Sequence, residues 1–292
     1  MDHVVDLVDL ERKLMAHPDC HHVLISHMRG KVGDMDAVAD LCRRHNAILL
    51  EDCAHALGVH WKGQHTGHKG VACAISCQSY KVLNAGEGGF VLTSDPYIAA
   101  KAAVYAGAYE EFFQKHLAIP PFKPYFDNLS RQLPNYSLRM TNLAAAVLRP
   151  QIRTLDSRIE KYQQRYERLV TQLEARVGDY LSIPKVTPGV TRMVHDSLQF
   201  NLDTKMTADM VQALLDECRT HGVPVEMFGH ASNARNFVNW EYTPSEDPLP
   251  LTRSMLSRAC DIRLPLLWED SDFDDMANVI CESIEAVLSK QT

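Results

Sequence analysis

Residues 23–52 read VLISHMRGKVGDMDAVADLCRRHNAILLED, and this stretch decides the fold class. Its apolar start at residues 23–27 is typical of a buried strand, and residues 47–50 predict a second strand of the same kind. Between them, Asp34 marks the start of a helix that ends near Asn46. A strand, a helix and a strand at this spacing form a βαβ unit, so we expect a right-handed crossover within a parallel sheet.

The composition is that of a folded protein and argues against several classes of function. The chain has 292 residues, of which 46% are hydrophobic and 23% are charged. Its net charge is −7 and the sequence contains no cluster of basic residues, so we do not expect nucleic-acid binding. The sequence has no run of about 18 apolar residues, so we expect no membrane span. No signal-peptide layout opens the chain, and its eight cysteines form no CxxC motif, which favours a cytoplasmic protein with reduced thiols.

The rest of the first half continues the pattern of strands and loops. Residues 57–72 contain four glycines, which predicts a tight loop or hairpin. The apolar residues 72–76 and 90–92 predict two more strands. Residues 113–136 combine prolines with aromatic residues, and we expect an irregular surface segment there.

The second half is dominated by helical periodicity. Apolar residues recur at helical spacing over residues 141–178, which predicts one long helix with a kink at Pro150. A strand and two helices follow, and Ser271 is the predicted cap of the last helix. We therefore expect two domains, at residues 1–153 and 154–292.

Three polar residues of the first half are candidates for chemistry. Asp52 lies at the carboxyl end of a predicted parallel strand, and functional side chains gather at such ends in open α/β sheets. A role as a helix N-cap would explain an aspartate at this position equally well. Ser76 ends another strand, and Lys81 follows it before the crowded glycines of residues 86–89, for which a tight turn is the simpler explanation. A lone lysine is most often a surface charge, but a desolvated one can form a Schiff base. Together with Lys81, Asp52 would suit the pyridine nitrogen of pyridoxal phosphate.

Several motifs follow one another in order along the chain. They are SHMRGKVGDMDAV (26–38), EDCAHALG (51–58), S-x-x-x-x-K (76–81), GEGG (86–89) and LRMTNLAAAVLRPQI (138–152). Together they resemble the motifs of the DegT/DnrJ/EryC1/StrS family of sugar aminotransferases. The resemblance implies the α/β fold of the type I pyridoxal-phosphate-dependent transferases. Their large domain is built on a mainly parallel sheet, and a smaller α/β domain follows at the C-terminus.

The resemblance also implies a role for each matching residue toward pyridoxal 5'-phosphate. Lys81 would hold the cofactor covalently and then move a proton between the substrate carbon and the cofactor. Asp52 would pair with the pyridine nitrogen, and His55 would lie near the ring oxygen O3'. Ser76 would bind the phosphate. Ser137 stands where the family commonly has an asparagine that reaches the phosphate of the neighbouring subunit.

The resemblance further implies a reaction that converts a keto-sugar to an amino sugar, with glutamate or glutamine as amino donor. It also implies that the protein is a homodimer. The segments 148–152 and 228–240 resemble those of members that act on octulosonate-type or nucleotide-linked sugars. The first residues match the interior of the family pattern, so we expect the N-terminal portion to be missing. This leaves two alternatives open: a catalytically silent binding or accessory subunit, and one chain of a split enzyme.

Two other groups of residues carry weaker signals. The histidines at positions 21, 22, 65 and 68 are not paired as zinc ligands usually are, so we expect no metal site. A set of aromatic residues near the start of the last third fits a substrate pocket and core packing equally well. These residues are Phe228, Phe237, Trp240 and Tyr242.

Overall fold

The computed structural model describes residues 2–108, 121–241 and 249–290, and the chain divides into two compact units. The N-terminal unit comprises Val4–Ser157 and Val186–Val194. The C-terminal unit comprises Met1–His3, Arg158–Lys185 and His195–Thr292. The assignment of residues 1–153 as a cofactor-binding domain stays a prediction.

A four-stranded sheet forms the centre of the N-terminal unit. Its strand order is β1-β2-β5-β6, with β1, β2 and β5 parallel and β6 antiparallel to β5. The parallel pairing of β1 with β2 across α2 is the predicted βαβ arrangement. A smaller sheet has the order β4-β3-β8 and contains the hairpin predicted for residues 57–72. The elements are α1 (Leu7–Ala16), β1 (His22–Ser26), α2 (Met35–Arg44), β2 (Ile48–Asp52), β3 (His60–Trp61), β4 (Gln64–His65), β5 (Ala72–Ser76), β6 (Gly89–Leu92), α3 (Pro96–Ala106), α4 (Lys123–Leu129), α5 (Asn142–Arg153) and β8 (Val190–Arg192).

Helix α2 begins and packs as its sequence dictates. The Asp34 carboxylate accepts hydrogen bonds from the backbone N–H groups of Asp36 and Ala37, at 3.1 and 3.0 Å. Such a cap stabilises a helix start by about 1 kcal/mol. Val38 and Leu41 lie one turn apart on the inner face and are buried. The helix therefore packs against β2 with its buried face.

The C-terminal unit is built on an antiparallel sheet with the order β10-β11-β9-β7. Its core includes Leu198 and Phe200 of β9 and Phe273 of the last helix, all fully buried. The elements, with the first three residues of α6 counted in the N-terminal unit, are α6 (Leu155–Val177), β7 (Leu181–Ser182), β9 (Ser197–Leu202), α7 (Ala208–Thr220), β10 (Glu226–Met227), α8 (Pro250–Leu256), β11 (Ala259–Arg263) and α9 (Asp270–Ser289). Every helix within the described ranges is too short or too polar to cross a lipid bilayer.

The single long helix predicted for residues 141–178 is wrong, because two helices, α5 and α6, meet at Thr154. Pro150 lies inside α5, where it cannot donate the usual hydrogen bond to the preceding turn. The Thr154 N–H bonds back to Gln151 at 3.2 Å, a tight closing turn that ends the helix.

Two smaller predictions also need correction. Residues 113–136 are not wholly irregular, because they contain α4, which has Pro124 in its first turn, where proline is well tolerated. Residues 113–120 lie outside the described part of the chain. Ser271 does not cap α9, since Glu269 does so and its N–H donates to Asp272 at 2.7 Å.

Candidate functional site

The carboxyl ends of three parallel strands place polar side chains on one face of the sheet. Ser26 of β1 is the register partner of Asp52 of β2, and Asp52 is the partner of Ala74 of β5. Ser76 follows Ala74 by two positions. Because side chains alternate between faces along a strand, Ser26, Asp52 and Ser76 share one face. The structure therefore brings two of the predicted site residues to the same sheet edge.

Asp52 is half-buried and both of its carboxylate oxygens accept hydrogen bonds. Oδ2 accepts from the Ser26 hydroxyl at 2.7 Å, and Oδ1 accepts from the Ala54 N–H at 3.0 Å. Residues 53–59 form turns and not a helix, so the alternative that Asp52 is a helix N-cap is wrong. The Ala54 bond instead closes a short turn directly after the strand.

Lys81 and His55 meet although they are far apart in sequence. Nζ of Lys81 lies 2.8 Å from Nε2 of His55, and the lysine donates to this ring nitrogen when the imidazole is neutral. His55 lies in the turn after β2, and Lys81 lies in the loop after β5. The two parallel strands β2 and β5 thus deliver the lysine and the histidine to one place.

The loop that carries Lys81, residues 77–88, is held by its own backbone. The Cys77 N–H donates to Gly88 at 2.8 Å, and the Ser79 N–H donates to Gly86 at 3.0 Å. Gly86 and Gly88 have φ angles of +83° and +132°, which side-chain-bearing residues rarely adopt. These glycines therefore make the tight turn that the simpler explanation predicted, and the turn returns the chain to β6.

Gln151 of α5 forms hydrogen bonds to the same loop, and the sequence analysis assigned it no role. Its Oε1 accepts from the Asn84 N–H at 3.1 Å, and its Nε2 donates to the Asn84 carbonyl at 2.7 Å. The Asn84 side chain in turn donates to the Lys81 carbonyl at 3.3 Å. The motif LRPQI contains this glutamine, but its partner lies 67 positions away, so spacing alone could not reveal the contact.

A second missed feature is the buried carboxylate of Glu51, next to Asp52. Glu51 and His27 are each 1% exposed, and His27 Nε2 lies 2.9 Å from a Glu51 oxygen. The backbone N–H groups of Gly67, Lys69 and Gly70 also donate to this carboxylate, at 2.9, 2.8 and 2.7 Å. Burial alone would raise the pKa of Glu51, but these hydrogen bonds outweigh it and the pKa lies below its ordinary value.

The Glu51 cluster has the composition of a metal site but is explained by hydrogen bonds. One ligand atom from each of His27, Glu51 and Cys53 falls within 4.8 Å of the others, and all three residues are buried. Both carboxylate oxygens, however, already accept two N–H groups each. The carboxylate therefore serves to hold the loop that follows β4.

The remaining predicted residues lie apart from these contacts. Ser137 is exposed just before α5, and its N–H and hydroxyl point to Asn135 Oδ1 at 2.7 and 3.4 Å. In the C-terminal unit, Phe228 is buried, and the Trp240 ring nitrogen donates to the Ala234 carbonyl at 2.8 Å. Packing accounts for Phe228, while Tyr242 lies outside the described residues.

Comparison with known proteins finds a matching family and several similar proteins. The model of the DegT/DnrJ/EryC1/StrS aminotransferase family matches residues 2–282. L-glutamine:scyllo-inosose aminotransferase of Streptomyces griseus is 27% identical over 257 residues, which cover 86% of this chain and 56% of that protein. GDP-perosamine synthase of Caulobacter vibrioides is 28% identical over 172 residues, which cover 58% of this chain and 42% of that protein. The chain spans about half the length of the curated relatives it matches.

Solved structures share the same architecture. DesV of S. venezuelae, solved in complex with a ketimine intermediate, matches with a TM-score of 0.76 at 21% identity. The match covers 97% of this chain and 70% of that one. This similarity confirms the predicted α/β fold class.

Proposed function

The chain belongs to the DegT/DnrJ/EryC1/StrS aminotransferase family, and from this we propose that it is a pyridoxal-phosphate-dependent aminotransferase that converts a keto-sugar to an amino sugar. The predicted family is thereby confirmed, and so is the predicted cofactor, since the aminotransferases of this family depend on pyridoxal phosphate. The observation that carries the proposal is the 2.8 Å contact between Lys81 Nζ and His55 Nε2.

The side chains present fit this cofactor by their chemistry. Asp52 offers a carboxylate for a protonated pyridine nitrogen, and Lys81 offers a primary amine for the aldehyde carbon. Ser76 offers a hydroxyl to the phosphate, and its oxygen already accepts from the Gln78 N–H at 3.3 Å. These groups stand at the ends of the strands β2 and β5 or in the loop after β5.

Each of these residues has a distinct task in the proposed reaction. Bound pyridoxal phosphate supplies an electron sink for the electron pair left when the amino-bearing carbon loses its proton. Lys81 Nζ would take that proton and deliver it to the former aldehyde carbon of the cofactor. His55 accepts a hydrogen bond from Lys81 Nζ and orients the amine, and the Asp52 carboxylate keeps a proton on the ring nitrogen.

We propose glutamate or glutamine as amino donor and a nucleotide-linked or octulosonate-type keto-sugar as acceptor. The names of two relatives support this choice. One takes its amino group from L-glutamine for scyllo-inosose, and the other is named for a GDP-linked amino sugar. Both names contain a cyclic polyhydroxylated compound, and we assign the substrate of this chain to the same chemical class.

We further propose that the enzyme is a cytoplasmic homodimer in which Ser137 reaches the cofactor phosphate of the neighbouring subunit. An apolar stripe on α5 and just before it supports the dimer, since Leu138 and Leu143 are 72% and 76% exposed. Both leucines line a groove of about 460 Å³, which is also lined by Gly88 and Gly89. Contiguous exposed apolar surface of this kind marks an interaction site.

Amino transfer can be measured directly with the full chain. Purified protein is incubated with pyridoxal phosphate, glutamate or glutamine, and a panel containing scyllo-inosose, a GDP-linked keto-sugar and an octulosonate. Mass spectrometry then follows the keto acid and the amino sugar. We expect wild type and Lys161→Ala, a variant of an exposed lysine on α6, to form both products, and Lys81→Ala to form neither.

A wild-type chain without transfer to any acceptor, or equal transfer by Lys81→Ala, would contradict the proposal. The comparisons do not favour the rival predictions, which are a silent accessory subunit and one chain of a split enzyme.

A further inference from the structure

Ser26, the last residue of β1, holds one oxygen of Asp52. Its hydroxyl donates to Oδ2 at 2.7 Å, while the Ala54 N–H donates to Oδ1 at 3.0 Å. One bond therefore comes from the neighbouring strand and the other from the turn after β2. Together they fix the plane of the carboxylate from both sides.

The strand register explains why a serine reaches the carboxylate here. Ser26 and Asp52 are direct partners on adjacent parallel strands, which lie about 4.8 Å apart. At that spacing a hydroxyl on Cβ bridges to an aspartate oxygen, whereas alanine or valine offers no donor. A carboxylate oxygen has two lone pairs, so Oδ2 can accept from Ser26 and from a second donor as well.

We propose that Ser26 is a positioning residue for the aminotransferase reaction, with its hydroxyl holding the Asp52 carboxylate in the orientation that receives the pyridine N–H. The inference rests on the proposed function, because it requires Asp52 to face the cofactor. A hydroxyl bonded to a carboxylate is a charge-assisted donor and is stronger than a neutral pair. Without it, Asp52 keeps only the turn bond, and one of its oxygens is free to rotate away from the ring.

The variants Ser26→Thr and Ser26→Val separate the hydroxyl from the shape of the side chain. Threonine and valine have nearly the same volume and both favour strands, but only threonine carries the donor. Ser289→Ala is the control, since Ser289 is exposed at the end of α9 and its hydroxyl bonds the Ala286 carbonyl at 2.9 Å. Melting temperatures of all four proteins verify that each variant is folded.

The measured quantities are the Kd of pyridoxal phosphate and the pH midpoint of the visible band of the bound cofactor. We expect Ser26→Val to weaken cofactor binding about 5- to 10-fold and to shift the midpoint. Ser26→Thr should stay within about twofold of wild type, as should Ser289→Ala. A purely structural role of Ser26 would change the melting temperature but would leave the pH midpoint in place.

Borohydride reduction followed by peptide mapping separates the two possible failures. If Lys81 is labelled in every variant and Ser26→Val matches Ser26→Thr in Kd and pH midpoint, the role of Ser26 is overturned and the proposed function stands. If Lys81 is labelled in no protein, wild type included, the proposed function fails and the role of Ser26 fails with it.

Discussion

The substitution Glu51→Gln tests whether the buried carboxylate holds the loop after β4. One oxygen of Glu51 accepts from His27 and from the Gly67 N–H, and the other accepts from the Lys69 and Gly70 N–H groups. Glutamine has the same shape, but one end of its amide donates and cannot accept. If this end faces His27, the ring can accept after a tautomer change. The partly buried Gly67 N–H then loses its acceptor, at a cost of about 1–3 kcal/mol.

The other two backbone bonds lose their charge assistance in this variant, which removes about 0.5 kcal/mol each. We therefore expect Glu51→Gln to lower the free energy of unfolding by about 2–4 kcal/mol. Urea unfolding followed by circular dichroism measures this loss. The matched control is Glu87→Gln, since Glu87 is exposed in the loop of residues 77–88 and should change stability by less than about 0.5 kcal/mol. A Glu51→Gln protein as stable as the control would refute the reasoning.

The same carboxylate predicts a pH dependence with a definite sign. The pKa of Glu51 in the folded protein lies below its ordinary value of 4.5, so the ionised carboxylate stabilises the folded state. This stabilisation is complete above the unfolded pKa and is lost as the pH falls through the folded value. The stability difference between wild type and Glu51→Gln should therefore shrink in acid. A difference that grows as the pH falls below 4.5 would contradict the assigned hydrogen bonds.

Two other changes probe the loops around the site. Gln151→Ala removes both hydrogen bonds to Asn84. Amide hydrogen exchange in residues 77–88 should therefore accelerate, and the free energy of unfolding should fall by about 1–2 kcal/mol. Gln151→Glu should give values between those of wild type and Gln151→Ala. Equal exchange in the three proteins would show that α5 does not hold the loop. Burial lowers the pKa of His65, and its neutral ring accepts a hydrogen bond from the Gly58 N–H at 2.8 Å. The neutral ring therefore stabilises the fold fully above the unfolded pKa of about 6.5, and this stabilisation is lost as the pH falls below that value. Unfolding measured at about pH 8 and pH 5.5 should show a larger acid loss for wild type than for His65→Gln, and equal losses would contradict the role of the ring.

The framework of the site could be predicted because its signals are local. The apolar run before Asp52 marks where β2 ends, and Asp34 marks where α2 begins. Both features depend on neighbouring residues, so the sequence shows them directly. The position of Asp52 at a sheet edge followed from these two signals, but only the turn at residues 53–59 excludes a helix cap there.

The hydrogen bonds that complete the site could not be predicted, because their partners are distant in sequence. His27 and Glu51 are 24 positions apart, and the acceptor for Lys81 lies 26 positions before it. Such contacts depend on which strands become neighbours and leave no periodic pattern. The break at Thr154 was missed for a related reason. Pro150 indicates that the helix is interrupted, but the position of the break depends on how the following turn closes.

Covalent mapping of the cofactor lysine tests the proposed site most directly. The full chain is mixed with pyridoxal phosphate, reduced with borohydride and digested, and the modified residue is identified by mass spectrometry in wild type, Lys81→Ala and Lys69→Ala. We predict one label per chain on Lys81 in wild type and in Lys69→Ala, and no specific label in Lys81→Ala. Labels scattered over several lysines, equally in all three proteins, would contradict the assignment of Lys81 as the cofactor-binding residue.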